Sequence, residues 1–282
     1  MQEKVSIARL SILSNSFLII MKLTVGLISG SVSIISETIH SSMDLIAAII
    51  AFFSVRISDN PPDNEHPYGH GKVENISGVI EALLIFIAAI WIIVEAIKKL
   101  TGKEIELESI GLGSIVMLIS AIINIIVSKR LYKVAHRTKS VALEADALHL
   151  KTDVYTSLGV AVGLALIMIT DINWLDPVVA ILVALFIIRE SYNLLKRAFT
   201  PLLDTAWGAK EIEELEMTLN KLDVSYHNLR TRVAGNYRFI DLHIQIPEDV
   251  SVGNAHHYCD KIENELNNNY ENLTVTIHVE PS

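Results

Sequence analysis

Six long apolar segments constrain the fold of this chain more than any other feature. They run over about 7–28, 32–57, 76–100, 110–131, 141–170 and 178–199, and each has the roughly 20 residues that an α-helix needs to cross a bilayer. Lipid offers the backbone no hydrogen-bond partners, so such segments must be helical. The sequence therefore predicts an all-α transmembrane domain of six helices over residues 1–203.

From residue 204 onward the pattern changes to that of a small soluble domain, 204–282. Amphipathic periodicity predicts helices over about 209–222 and 252–266. Runs over 224–233, 238–246 and 273–279 predict strands, and Gly235 marks a hairpin between the first two. The predicted order, α-β-β-α-β, is that of a compact α+β domain.

The positions of Lys and Arg predict the orientation of the spans, because cytoplasmic ends are enriched in these residues. They cluster at alternate ends, which places both termini and the loop over 58–72 in the cytoplasm. The link between spans three and four is the exception, with basic residues offset by acidic ones: Lys98, Lys99, Lys103, Glu104, Glu106 and Glu108.

Composition excludes several classes of protein. A formal net charge of −9 argues against binding to nucleic acid. The single cysteine, Cys259, excludes an internal disulfide and a cysteine-cluster zinc site, and a buried structural role is expected for it. We expect no cleavable signal peptide, because the first apolar run is long and leads into a second without a cleavage motif.

One polar motif occurs twice inside the apolar segments. Glu37-x-x-His40-x-x-x-Asp44 is repeated about a hundred residues later as a second acid-x-x-His-x-x-x-Asp, which comprises Asp146, His149 and Asp153. Positions i, i+3 and i+7 of a helix fall within an arc of about 60°. Ionisable groups at this depth are expensive unless they share a partner. Two imidazoles and two carboxylates, from His40, Asp44, His149 and Asp153, make a tetrahedral set that suits Zn²⁺.

The first acid of each motif has several possible roles, and the motif as a whole has an alternative interpretation. Glu37 and Asp146 could bind the metal, orient the histidines or relay protons, and we expect one of the last two roles. The alternative interpretation of the two motifs is a structural hydrogen-bond network that specifies helix packing.

The loop after span two carries Asp63, His66 and His70, with spacing that predicts a second, more exposed metal site. Glu65 is an alternative ligand. The competing interpretation is a solvated loop with incidental histidines.

The C-terminal domain has many histidines for its size, and alternation places His278 and Glu280 on the same face of a strand. The histidines and Glu280 predict one or two metal sites that bridge strands or protomers, and Cys259 is a further candidate ligand. Scattered surface histidines are the alternative. The candidates are His227, His243, His256, His257, His278 and Glu280.

Together these residues resemble the cation diffusion facilitator family, which includes the bacterial zinc–proton antiporters. The similarity covers the whole chain, including the string His-Pro-Tyr-Gly-His-Gly-Lys over 66–72. It implies a metallochaperone-like cytoplasmic domain. It also implies a transport site at His40, Asp44, His149 and Asp153, a loop site at Asp63, His66 and His70, and dimer-interface zinc sites at His227, His243, His256, His278 and Glu280.

Three further implications follow from this resemblance. Lys72 and Asp204 match a charge pair that locks the membrane dimer in family members. Histidine at position 40 is associated with zinc, whereas some members carry Asp there. Position 280 is often Asp in the family, where this chain has Glu280.

The expected function is efflux of Zn²⁺ in exchange for protons by alternating access. The protein would be a homodimer in the plasma membrane, with Zn²⁺ as both cargo and a structural or regulatory ligand. An enzyme is not expected, because the chain lacks His-Glu-x-x-His and the four intramembrane ligands leave no position for a catalytic water. The alternatives are the same build moving Mn²⁺, Fe²⁺, Co²⁺, Ni²⁺ or Cd²⁺, and a metal-sensing membrane scaffold that does not transport.

Overall fold

The computed structural model describes residues 2–30, 32–101, 112–170, 172 and 174–282. Lys103, Glu104, Glu106 and Glu108, which belong to the predicted charged link, lie outside the described residues. The described part of residues 1–199 contains six long helices: α1 Gln2–Ser29, α2 Val32–Ser58, α3 Lys72–Leu100, α4 Leu112–Thr138, α5 Val141–Thr170 and α6 Leu175–Phe199. A short 3₁₀ turn, Thr200–Leu203, follows α6.

Length and hydropathy mark five spans among the described residues. They are Gln2–Ser29, Glu37–Ser58, Lys72–Leu100, Ile115–Thr138 and Leu175–Leu203. The remaining long helix, α5, carries the second His/Asp motif in its first half. Large apolar side chains such as Ile87, Trp91 and Leu118 are more than half exposed on the helix surfaces, which is expected where a helix faces lipid.

Helix α5 lies at the centre of the membrane domain. On one side it packs with α1, α2 and α4 around a cluster that includes the fully buried Ala8, Val55 and Leu131. On another side it packs with α3 and α6 around Ala82, Ile85 and their neighbours. Small residues allow these helices to approach closely. The position of α5 brings its polar stripe into the interior of the bundle.

The second compact unit comprises Pro62–Lys72 and Thr200–Ser282. Its C-terminal part contains α7 Ala209–Lys221, β1 Tyr226–Ala234, β2 Tyr237–Ile246, α8 Val252–Asn269 and β3 Leu273–Pro281. The central strand β2 pairs with β1 antiparallel and with β3 parallel. The predicted fold class, a helical membrane domain followed by a small α+β domain, is confirmed.

Helices α7 and α8 contribute to the core of this small domain. Its buried residues include Leu215 of α7, Ile262 of α8, and Ile240, Leu242 and Ile244 of β2. Because alternate residues of a strand face opposite sides, residues 241, 243 and 245 of β2 face away from this core. The candidate histidine at position 243 therefore belongs to the face of the sheet that the core does not occupy.

Backbone contact joins the loop over 62–72 to the β1–β2 hairpin. A Cβ on Gly71 would lie 2.2 Å from the carbonyl oxygen of Ala234, and a Cβ on Gly235 would lie 2.3 Å from that of Gly71. Gly235 also has a φ of +59°, a conformation that glycine adopts without strain. The loop thus lies against the hairpin as closely as two glycines permit.

Candidate metal centres

The two intramembrane motifs face each other across α2 and α5. Nε2 of His149 lies 2.9 Å from Oδ1 of Asp44, at hydrogen-bond distance. Nε2 of His40 lies 3.9 Å from Oδ1 of Asp153. Each histidine is therefore paired with the aspartate of the other helix, and all four residues predicted as transport ligands lie in one cluster.

The donor atoms of this cluster are close enough to share one ion. One atom from each of His40, Asp44 and Asp153 lies within 4.8 Å of the other two, and His149 joins the set through Asp44. Small buried side chains on both helices favour this close approach, including Ala142 and Ala147 of α5, which pack in one cluster with Val55 of α2.

The pairing of His149 with Asp44 carries a chemical consequence. A ring nitrogen and a carboxylate oxygen at hydrogen-bond distance hold a proton between them, whichever of the two it belongs to. A cation that binds both atoms must displace this proton, because metal ligands bind through deprotonated nitrogen and oxygen.

The cluster is more open on one side than on the other. The side chains of Asp44 and His149 are 6% and 12% exposed, whereas those of Asp153 and His40 are 21% and 56% exposed. His40 is therefore the most exposed of the four side chains, and the Asp44–His149 pair is the more buried of the two pairs.

Two asparagines on neighbouring helices contact the cluster. Asn124 of α4 donates from Nδ2 to Oδ2 of Asp153 at 3.5 Å. Asn15 of α1 donates to the backbone carbonyl of Asp44 at 3.4 Å. Neither contact is predicted by sequence spacing, because each asparagine lies on a helix without a motif. The position of Asn124, a polar residue inside an apolar segment, is the sequence feature that could have indicated its contact with the cluster.

Glu37 and Asp146 have equivalent positions in the two motifs but different surroundings. Oε2 of Glu37 accepts a hydrogen bond from Nζ of Lys22 at 3.2 Å. Asp146 is buried, and among the described residues neither of its carboxyl oxygens has a partner that meets hydrogen-bond geometry. Its polar neighbours include Ser11, His149 and Asp44. The orienting or proton-relay roles expected for both acids stay predictions.

The loop residues form a second group of donors. Asp63 lies 3.5 Å from Nδ1 of His66 and 3.3 Å from Nε2 of His70, and the two imidazole rings are 4.5 Å apart. Oδ1 of Asp63 also accepts hydrogen bonds from the backbone N–H groups of His66 and Glu65. The His66 hydrogen bond, more than any other contact, holds the pKa of Asp63 below its usual range.

A third group lies on the sheet face opposite the helices. The strand register places His227 opposite His243, and His243 opposite His278. Glu280 joins them, with carboxylate oxygens 3.1 Å from Nε2 of His227, 2.9 Å from Nδ1 of His243 and 3.7 Å from Nε2 of His278. The hydrogen bond with His243 is the main cause that lowers the pKa of Glu280.

The structure does not bring His256 to this group. His256 and His257 lie on α8, each less than 4 Å from Asp260, and both are largely exposed. Metal binding by His256 stays a prediction. Cys259 is free and buried in the domain core, as predicted, and burial raises the pKa of its thiol.

Lys72 and Asp204 form an ion pair within this chain. Nζ of Lys72 lies 2.9 Å from Oδ1 of Asp204, which also receives the guanidinium of Arg232 at 3.4 Å. The Lys72 contact is the main cause that lowers the pKa of Asp204. Arg232 in turn lies over the rings of Phe239 and Tyr68, at 4.0 and 4.8 Å.

A buried polar network at one end of the bundle was not predicted from the sequence. Nζ of Lys4 lies 3.0 Å from carboxylate oxygens of both Asp59 and Glu74. Ser58 and Ser140 donate to the two oxygens of Glu74. Residues from α1, α2, α3 and the start of α5 thus meet here, at sequence separations that no local pattern reveals.

Six long helices with histidine and aspartate pairs in their interior are typical of membrane transporters of metal cations. Comparison with known families identifies the family to which the chain belongs. Residues 8–203 match the model described as the cation efflux transmembrane domain, and residues 209–282 match that of the cation efflux protein cytoplasmic domain. The chain belongs to the cation efflux family, the cation diffusion facilitators, whose members are transporters and not enzymes.

Relatives match over almost the whole chain. The uncharacterized transporter sll1263 of Synechocystis is 33% identical, covering 93% of this chain and 85% of that protein. The manganese efflux system protein MneP of Bacillus subtilis is 27% identical, covering 99% and 97%. The solved metal-bound C-terminal domain of the CzcD transporter from Thermotoga maritima is 30% identical, covering 27% of this chain and 94% of that domain, with a TM-score of 0.25.

Proposed function

We propose that this protein exports Zn²⁺ from the cytoplasm in exchange for protons, through the site formed by His40, Asp44, His149 and Asp153. The observation that carries the proposal is the cross-pairing of the two motifs, with His149 at 2.9 Å from Asp44 and His40 at 3.9 Å from Asp153. Two imidazole nitrogens and two carboxylates match the tetrahedral preference of Zn²⁺.

Proton exchange follows from the same pairs. Without metal, the Asp44–His149 pair shares a proton, and an arriving cation displaces it. Protons that return from the far side of the membrane would favour release of the metal there. The two pairs would then alternate between a metal-bound and a proton-bound state, which is the requirement for antiport.

The other two groups of donors have regulatory roles in this proposal. The loop site of Asp63, His66 and His70 would bind metal in the cytoplasm. The site of His227, His243, His278 and Glu280, with His256, would bind metal when the cytosolic concentration rises and would stabilise a homodimer. The protein would lie in the plasma membrane with both termini in the cytoplasm.

Flux measurements test the proposal. Purified protein in proteoliposomes should move Zn²⁺ when a pH gradient is imposed, with proton movement in the opposite direction, over a panel of divalent ions. A Zn²⁺ flux that is the same with and without the pH gradient would contradict the antiport mechanism. Absence of flux for every ion would favour a metal-sensing scaffold.

Manganese is the second candidate cargo. Similarity to MneP, whose name states manganese efflux, supports it. The donor set disfavours it, because Mn²⁺ prefers oxygen-rich octahedral sites. The same ion panel separates the two metals.

A further inference from the structure

Lys22 places a positive charge beside the candidate transport site. Its side chain is 6% exposed, in the C-terminal third of the apolar helix α1. Nζ of Lys22 donates to Oε2 of Glu37 at 3.2 Å and to Oγ of Ser41 at 2.8 Å. A buried ammonium at membrane depth needs such partners, and both come from the helix that carries His40 and Asp44.

Close contact between α1 and α2 positions this lysine. Gly26, one turn after Lys22, lies so near α2 that a Cβ there would be 3.0 Å from Cγ1 of Ile35. A Cβ at position 26 would require the side chain of Ile35 to shift, because the contact is tighter than ordinary van der Waals distance. The reach of Lys22 to Glu37 is therefore set by the packing of the bundle.

Glu37 lies on the same helix face as the transport ligands. It precedes His40 by three residues and Asp44 by seven, within the arc of about 60° that defines the stripe. The hydrogen bond from Lys22 to Oε2 holds the Glu37 carboxylate on the side of α2 that faces α1. The Lys22–Glu37 pair adds no net charge to what the carboxylates of Asp44 and Asp153 offer a divalent ion.

We propose that Lys22 is a specificity-determining residue that holds Glu37 out of the ligand set. With Glu37 held, the site offers two nitrogens and two carboxylates, which suits Zn²⁺. With Glu37 released, a third carboxylate would join, and a site of higher coordination number and more oxygen donors suits Mn²⁺ better. The inference rests on the proposed transport through His40, Asp44, His149 and Asp153.

The test is the ratio of initial Zn²⁺ and Mn²⁺ fluxes in proteoliposomes of the full chain. Lys22→Met should lower the Zn²⁺:Mn²⁺ ratio by about tenfold or more, the scale of effects seen for residues that lie beside a metal site without binding the ion. Lys22→Arg retains a cation at this position and should keep the wild-type ratio. Lys22→Met/Glu37→Gln removes the released carboxylate and should restore the ratio toward wild type.

Lys98→Met is the matched control, because Lys98 pairs with Glu95 on an exposed part of α3. It should leave the ratio unchanged. An unchanged ratio in Lys22→Met would overturn the proposal, as would an equal fall in the double variant, since Lys22 would then act without Glu37. Zn²⁺ flux by the wild type tests the proposed function separately, and a wild type that moves neither ion overturns both.

Discussion

Nε2 of His149 on α5 lies 2.9 Å from Oδ1 of Asp44 on α2, although the two residues are 105 positions apart in the chain. This pair joins the two copies of one motif, and it is the more buried of the two His–Asp pairs in the cluster. The arrangement leads to the first of five predictions.

Replacing Asp44 or Asp153 with Asn should abolish Zn²⁺ transport. The amide keeps the shape of the side chain but removes a charged ligand, so flux should fall by more than about 100-fold, beyond the usual effect of residues outside the ligand set. Zn²⁺ uptake by proteoliposomes measures it. Asp249→Asn, at an exposed loop position, is the control. Wild-type flux in both variants would contradict the site assignment.

Reversing the charges of Lys72 and Asp204 should show coupling between them. Lys72→Glu and Asp204→Lys should each lower the melting temperature, and the combination should recover part of the loss. Recovery is incomplete because Arg232, 3.4 Å from Asp204 in the wild type, would face a lysine. Both side chains are partly exposed, so the coupling energy should be about 0.2–1 kcal/mol. A double-mutant cycle of melting curves that shows no coupling between the two positions would contradict a stabilising Lys72–Asp204 ion pair.

The stability contributed by Asp204 should depend on pH in a defined direction. Lys72 lowers the pKa of Asp204 below its ordinary value of 3.8. The ionised carboxylate therefore stabilises the fold fully above that value, and the effect is lost as the pH falls through the lowered pKa. The difference in melting temperature between wild type and Asp204→Asn should shrink below about pH 4. A difference that grows toward acid would contradict this sign.

Gly71→Ala should destabilise the contact between the loop and the hairpin. The added Cβ would lie 2.2 Å from the carbonyl oxygen of Ala234, and backbone atoms cannot move aside easily. Gly253→Ala in α8 is the control, because a Cβ there meets nothing within 4 Å. The control should be neutral or stabilising by up to about 1 kcal/mol. Equal melting temperatures for the two variants would show that the loop does not depend on this contact.

Glu74→Gln should destabilise the membrane domain, because it leaves the ammonium of Lys4 with less compensation in a buried site. Loss of one partner from a buried ion pair reduces stability by about 3–5 kcal/mol, and the remaining contact of Lys4 with Asp59 places this case toward the lower end. Lys4→Met/Glu74→Gln should be less destabilised than Glu74→Gln. Thermal unfolding in detergent measures both, and the opposite order would refute a buried ion pair.

Helix boundaries show where sequence reasoning succeeds and where it stops. The apolar pattern predicts a start near residue 76 for the third span, but α3 begins at Lys72. Glu74 and Asn75 are polar but buried, and both have partners on other elements. Hydropathy cannot detect a helical turn whose polar side chains are satisfied by tertiary contacts.

The two motif acids show a second limit. Glu37 and Asp146 occupy the same motif position, and sequence reasoning treats them alike. The structure separates them, because Lys22 of α1 donates a hydrogen bond to Glu37, whereas no side chain among the described residues meets hydrogen-bond geometry with Asp146. Which helix packs beside each stripe decides this difference.

The sequence by itself determined the apolar helices, the alternation of the strands and the placement of each histidine and aspartate on one face of its helix. These follow from local geometry, since helical and strand periodicities are set by neighbouring residues and by the cost of polar groups in lipid. Only the tertiary structure decided that His149 pairs with Asp44, that Lys22 holds Glu37 and that Gly71 lies against Gly235. Such pairings depend on how helices and strands distant in the chain pack together, and no local pattern contains that information.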